Sequence, residues 1–458
     1  MNRRSLFAST AAATAGWALA AHLPAQAQAP ARPAPAAEPR PATAAEPRPS
    51  NVIFFHPDGF GVNHWGAVRM VSVGPDGRTE WDRLPHSAVY LGHMKDGLTG
   101  TSHGGATTHA FGVRVQADSF GMDGTTPIRS LSGFEGSIAK EALARGKWVG
   151  LVNSGAAYEP GTAAFVASTP RRNSLAEITR LVAQSGVQVH LAGGERWYLP
   201  RGTQGRFGEG AREDGLNLVE ALRAQGYAIV YTKEELAAVP AGTEKLWGIF
   251  AHDHSFNDRN EETQARENLP HYLPTAPSIA EMSEAALRLL SRAPDGFLLV
   301  AEEEGTDNFG NVNNAPGSIE AGIRADAAIG VFRRFVAANP NTLMLTTCDS
   351  DAGGMQVIGP GRQQNIVREG ANLPERDRNG APLDGQSGTG TTAWLSAPDR
   401  NGVRHPFGIA WSTLTDVSGG ILVRGVGLNA GQISQAGTMD NVDVYRIMYR
   451  TLFGLEAG

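Results

Sequence analysis

Three apolar runs in this chain end in carboxylates. Asn51–His56 leads into Asp58. Phe297–Ala301 leads into Glu302, Glu303 and Glu304, with Asp307 and Asn311 beyond. Leu343–Thr347 leads, through Cys348, into Asp349 and Asp351. A buried strand that finishes in charge is costly unless the charges are paired or bind a cation. Ligands of open α/β sheets sit beyond the carboxyl ends of the strands. Any one of these ends alone also reads as an acidic, solvated loop. Three of them on one sheet edge would converge, and converging carboxylates need cations between them. A carboxylate-held metal pair suits phosphoryl transfer, in which two cations clamp the attacking and leaving oxygens. That chemistry needs a nucleophile at a helix start. Ser102, in Gly100-Thr-Ser-His-Gly-Gly-Ala-Thr107, precedes a predicted helix over Ala106–Phe111, closed near Gly112. Backbone N–H groups at such a start favour phosphate.

The elements that must position these groups alternate. Strands are predicted at Asn51–His56, Trp148–Val152, Val187–Ala192, Tyr227–Tyr231, Phe297–Ala301 and from Leu343, with late strands at Phe407–Trp411 and Ile421–Val423. Helical spacing of apolar residues falls at Ser174–Ala183, near Gly215–Ala224 and near Ser318–Ala338. Ser278-Ile-Ala-Glu281 is a capping box opening a helix to about Arg292. Val442–Phe453 is a closing helix with Gly454 as its stop. Strands alternating with helices imply an α/β three-layer sandwich, a mostly parallel central sheet with helices on both faces. Residues 195–275 are richer in polar residues, Gly and Pro, and read as an excursion from that sheet. Residues 360–395 read as polar loop.

The chain has 458 residues with 56 glycines and a formal net charge of -6, and no basic stripe, which excludes a nucleic-acid partner. Residues 1–29 read as an export signal: Arg3-Arg4 is a twin-arginine start, an Ala-rich run follows, and Ala25-Gln-Ala27 is a small-x-small cleavage site. The run is too short to span a bilayer, so no transmembrane segment is expected and the destination is periplasmic or secreted. Residues 30–50, rich in Pro and Ala, read as an extended linker, and residues 51–458 as the catalytic domain. The single cysteine, Cys348, allows no internal disulfide and reads as a buried structural thiol.

From Asn51 onward the chain resembles the alkaline phosphatases. Asp58-Gly follows the first strand. Ser102 is followed by Ala106, Thr107 and Gly112 in the family's nucleophile pattern. Gly161-Thr-Ala-Ala-Phe-Val-Ala-Ser-Thr-Pro-Arg-Arg172 is similar to the segment that supplies a metal-ligand Thr and a phosphate-binding Arg. Glu302 and Asp307 have the family spacing, and Thr346-Thr-Cys-Asp-Ser-Asp351 resembles the late metal strand. The resemblance implies Ser102 as nucleophile and Arg172 as phosphate-binding residue, with Arg171 as its rival. It implies Asp58, Thr162, Glu302, Asp307 and Asp349 as metal ligands. His103, beside the nucleophile, is a candidate to touch substrate.

The departures bear on the metal. Zinc-dependent members carry His at three positions where this chain has Asn311, Ser350 and Asp416, and Thr101 stands where Asp often precedes the nucleophile. With Asn311 and Asp416 added, and Asp351 as a further candidate, the implied ligand set offers oxygen alone. Oxygen ligands suit magnesium or calcium over zinc. His103, and His252 and His254 in the polar excursion, are the imidazoles that could replace a missing ligand. The resemblance implies small phosphomonoesters as substrates, and homodimers are common in the family. A phosphodiesterase of the same superfamily and a non-catalytic metal- or phosphate-binding protein are the alternatives. No Cys- or Ser-x-Pro-x-Arg motif is present, against a sulfatase.

Overall fold

The computed structural model describes residues 49–359 and 367–458, so the segment expected to be an export signal and nearly all of the expected linker lie outside the described residues. Eight strands in chain order are β1 (Asn51–Pro57), β2 (His86–Leu91), β3 (Trp148–Ala156), β4 (Val189–Gly193), β5 (Ala228–Val230), β6 (Leu246–Ile249), β7 (Phe297–Glu303) and β8 (Thr342–Thr346). With Leu422–Gly427 and Thr438–Asp440 they form one ten-stranded sheet. Its order is Thr438–Asp440, β2, Leu422–Gly427, β8, β1, β7, β3, β4, β6, β5. The run from β8 to β5 is parallel throughout. Leu422–Gly427 is antiparallel to both of its neighbours.

β1 and β7 are buried along their whole length, as strands covered on both faces must be. Successive side chains point to opposite faces. Phe54, Val300 and Leu345 therefore enter a core shared with the helices Ser102–Phe111 and Asn441–Phe453. Ile53, Phe55, Leu299 and Met344 enter the opposite core, against the helices Ile279–Leu290 and Ala315–Ala338. This is the three-layer α/β architecture expected from the alternation of elements.

Local rules hold where they were strongest. The Ser278 hydroxyl accepts from Glu281 N and the Glu281 carboxylate accepts from Ser278 N, closing the capping box. Gly112 ends the helix Ser102–Phe111 at φ 67, and a Cβ there would also sit 2.6 Å from the Tyr445 ring. Only glycine meets both demands.

Three expectations differ from the structure. The polar excursion is not wholly off the sheet, because β5 and β6 are its last two strands. β6 is a four-residue run, Leu-Trp-Gly-Ile, too short to stand out from polar neighbours. The described part of the 360–395 stretch contributes Leu383–Gly385, Gly388–Thr389 and Trp394–Leu395 to a small antiparallel sheet. Pro406–Ala410, anticipated as a strand, joins that small sheet and not the main one. Antiparallel pairing of short strands is decided by partners far away in sequence, which periodicity does not report.

Candidate active site

The three carboxylate-bearing strand ends lie side by side. β1 is flanked by β8 and β7, with Phe55 opposite both Thr346 and Ala301 and His56 opposite Glu302. This register brings Asp58, Glu302, Asp307 and Asp349 to one sheet edge, all of them buried. Asp307 stands in a short helix, Gly305–Asn311, that begins directly after β7. The backbone is pared down to let these groups meet. A Cβ on Gly59 would lie 2.4 Å from an Asp307 oxygen, one on Gly105 2.5 Å from Asp349 Cβ, and one on Gly161 1.6 Å from Glu302 Oε1.

Ser102 opens the ten-residue helix Ser102–Phe111, and its hydroxyl faces the Asp58 carboxylate. Thr101 caps that helix: its hydroxyl accepts from Gly104 N at 3.1 Å and donates to Ala117 O at 2.6 Å. Thr101 is thus committed to the fold, and Ser102 is the free hydroxyl at the helix start. His103 lies at the mouth of the site, its Nε2 3.3 Å from Asp118. Burial and the nearby Arg172 charge lower its pKa.

Arg172 is half-buried with the Glu159 and Glu304 charges nearby, and Arg171 is exposed. Arg172 donates to Glu159 Oε2 at 2.5 Å and to Tyr158 O at 3.3 Å. Glu159 is itself buried. Thr162 Oγ1 accepts from Asn153 Nδ2 at 3.1 Å, and the same amide donates to Glu302 Oε2. Asn153 on β3 lies directly opposite Glu302 on β7.

The remaining candidates are placed as follows. Asn311 turns its amide nitrogen to both Asp307 oxygens, each at 3.1 Å, and to Asp416 Oδ1 at 3.0 Å; its carbonyl accepts from Gly353 N at 3.2 Å. In this orientation it ties two carboxylates together through hydrogen bonds and offers a cation no oxygen. Asp416 is half-buried, held by the pairing of Asp416–Val417 with Asp351–Ala352. Asp351 turns away toward His64, 3.2 Å from its Nδ1. Ser350 is buried. Cys348 is buried too, its thiol raised well above the usual value by burial. His254 does not lie on an open loop: it stacks on Phe256 at 5.1 Å and stands 3.8 Å from Glu159.

Four groups at this edge lay outside the set carried over from the family. His56 Nδ1 is 2.9 Å from Glu302 Oε1, and its Nε2 is 3.8 Å from both Asp58 and Asp349. Its signal in the sequence was a histidine closing an otherwise apolar strand. Asn153 carried the same signal, a polar residue within a buried run. Glu304 carried the signal of a carboxylate closing the Phe297–Ala301 run, and Glu159 had none beyond its charge.

The electrostatics ask for cations. Both oxygens of Asp58 and of Asp349, Glu304 Oε2 and His56 Nε2 are buried without a hydrogen-bond partner. Burial, reinforced by neighbouring carboxylates, raises Asp58 to about 7 and pushes Glu304, Asp307 and Asp349 well above the usual carboxylate range. Burial works to lower the His56 imidazole, but its bond to Glu302 and the Glu302 and Asp349 charges outweigh that and raise it. A ligand atom from each of His56, Asp58 and Glu302 lies within 4.8 Å of the other two. Divalent cations fit this donor set, because only they satisfy several orphaned buried oxygens at once.

A mostly parallel sheet with a serine at a helix start beside clustered buried carboxylates is an arrangement suited to metal-assisted phosphoryl transfer. The alkaline phosphatase family model matches residues 49–377, and the chain belongs to that family. The tissue-nonspecific isozyme of alkaline phosphatase from Felis catus is 25% identical over 337 residues, 65% of this chain and 62% of the relative. The Gallus gallus isozyme is 26% identical over 339 residues, 65% and 63% of the two chains. The chain thus spans about three fifths of these relatives' length. Among solved structures, Thermus thermophilus alkaline phosphatase superposes with a TM-score of 0.67 at 23% identity, covering 90% of this chain and 92% of that one. Alkaline phosphatase from the Antarctic bacterium TAB5 gives 0.64 at 17% identity, covering 89% and 99%. These likenesses show the fold.

Proposed function

We propose that this chain is an exported, metal-dependent phosphomonoesterase that works through a phosphoserine and runs on hard cations. The observation that carries the reading is Ser102 at a helix start, facing Asp58 amid buried carboxylates whose oxygens lack partners. Ser102 Oγ attacks phosphorus in line, forming the serine O–P bond as the substrate's O–P bond breaks and the alcohol leaves. Water then attacks the phosphoserine, releasing phosphate and restoring the hydroxyl. Arg172, braced by Glu159, would fork two non-bridging oxygens, which favours monoesters over diesters. Cations among Asp58, Glu302, Asp307 and Asp349 would neutralise charge developing on the attacking and leaving oxygens.

Hard cations are favoured because Asn311, Ser350 and Asp416 replace three imidazoles. Export rests on Arg3-Arg4 and the run behind it. Among the described residues no helix is long and apolar enough to cross a membrane. The test is to strip the protein with chelator, add back magnesium, calcium, manganese or zinc singly, and assay a chromogenic monoester and diester. Magnesium or calcium should restore monoester turnover with an alkaline optimum. Recovery with zinc alone would overturn the metal assignment. Faster diester turnover would make the chain a phosphodiesterase, and no turnover with any metal would leave a binding protein.

A further inference from the structure

The Glu304 side chain belongs neither to the family's pattern nor to the hydrogen-bond network that holds the carboxylate of its neighbour. Glu303, one residue earlier, is tied by Ser154 at 2.5 Å and Tyr272 at 2.8 Å. Glu304 is only 3% exposed, its Oε2 has no partner, and its backbone N is fixed by Ser154 Oγ at 3.0 Å. The chain keeps space clear for it: a Cβ on Gly155 would lie 2.9 Å from Glu304 Cγ and 3.0 Å from Glu159 Cγ. The nearby cation that might neutralise it, Arg172, is already bonded to Glu159.

One carboxylate oxygen from each of Asp58, Glu304 and Asp307 lies within 4.8 Å of the other two. Oxygens around one calcium ion stand ~2.3–2.6 Å from it, so a shared ion spans oxygens up to ~5 Å apart. The trio has the spacing of ligands and is too crowded for three free anions.

We propose that Glu304 is a metal ligand, holding with Asp58 and Asp307 an all-oxygen cation site next to the one bounded by His56, Asp58 and Glu302. Asp58 is common to both and would bridge two cations. The extra carboxylate compensates for lost imidazoles by supplying anionic oxygen from a different position, which selects calcium, manganese or magnesium. The inference rests on the metal-dependent reading above and adds a ligand to it.

The test is calorimetric titration of chelator-stripped full-length protein with calcium and with manganese, for wild type, Glu304→Gln and Glu304→Asp. Glu304→Gln should lose one binding event or weaken it at least about tenfold, at the lower end for a disturbed metal shell. Glu304→Asp, which keeps the charge but shortens its reach, should fall between and guards against a misfolded Gln variant. Melting of the stripped proteins is the second readout: Glu304→Gln should melt no lower than wild type, since it removes a repelled anion. Wild-type stoichiometry and affinity in both variants would overturn the assignment of Glu304 while leaving the phosphatase reading intact. A wild-type protein that binds neither cation would remove the metal-dependent reading itself.

Discussion

The stripped protein should lose stability as pH rises, and the size of the loss can be worked from Asp58. Its carboxyl goes from 3.8 to about 7 in the fold, chiefly through burial, with the Glu302 and Asp416 charges adding to it. At about 1.4 kcal/mol for each tenfold change in proton affinity, ionised Asp58 costs the metal-free fold on the order of 4 kcal/mol. Below about pH 4 it is protonated in both states and costs nothing. Between there and pH about 7 the native state holds a proton that the unfolded chain has released, so stability falls with pH. Above that the penalty is complete. Glu302, Glu304, Asp307 and Asp349 are raised in the same direction and deepen the fall. His56, raised as well, contributes stability that disappears as pH climbs through its folded value. Carboxylates held low by partners, such as Glu177 with Arg180, add stability as pH rises through their unfolded value near 4.5, and leave the slope alone only above about pH 5.5, where they are ionised in both states. Cations reverse the effect by binding the ionised native site, by ~2.7 kcal/mol per site at a hundredfold excess over Kd. The assay is urea unfolding of chelated protein from about pH 5.5 to 8, above the unfolded carboxylate range, repeated with calcium. Stability that stays flat or rises with pH in chelator would refute the argument that these carboxylates are buried together without a cation.

Other consequences follow from the same edge. Ser102→Ala should abolish phosphoenzyme formation in quenched-flow assays with a labelled monoester; a surviving burst would remove Ser102 as nucleophile. Arg172→Ala should lower monoester turnover by at least about tenfold, the factor for one lost interaction of ~1.4 kcal/mol, and should harm diesters less. A full effect at Arg171 instead would shift the assignment by one residue. Gly161→Ala places a methyl 1.6 Å from a Glu302 oxygen, so it should weaken cation binding in the same calorimetric titration, and wild-type affinity would show that the loop gives way.

Local signals in the sequence reached far into the fold. The run Asn51–His56, the capping box at Ser278 and the stop at Gly454 are each decided by residues within a few positions. Their physics is short-ranged, so periodicity and capping chemistry report it. The convergence of Asp58, Glu302 and Asp349 was legible because parallel strands put their carboxyl ends on one edge. What alternation cannot supply is strand order. That β8, β1 and β7 are adjacent depends on packing between segments far apart in the chain, such as Val52 opposite Leu343 and Leu298. The same long-range packing decided which side chains fill the space between the carboxylates. It turned the Asn311 amide nitrogen toward Asp307 and Asp416 and sent Asp351 to His64. It also braced Arg172 on Glu159 and left Glu304 buried without a partner. Residue types and spacing determined that this chain would gather carboxylates beside a serine. Only the tertiary structure decided which oxygens remain free, because a carboxylate's role depends on the partners that reach it from elsewhere in the chain.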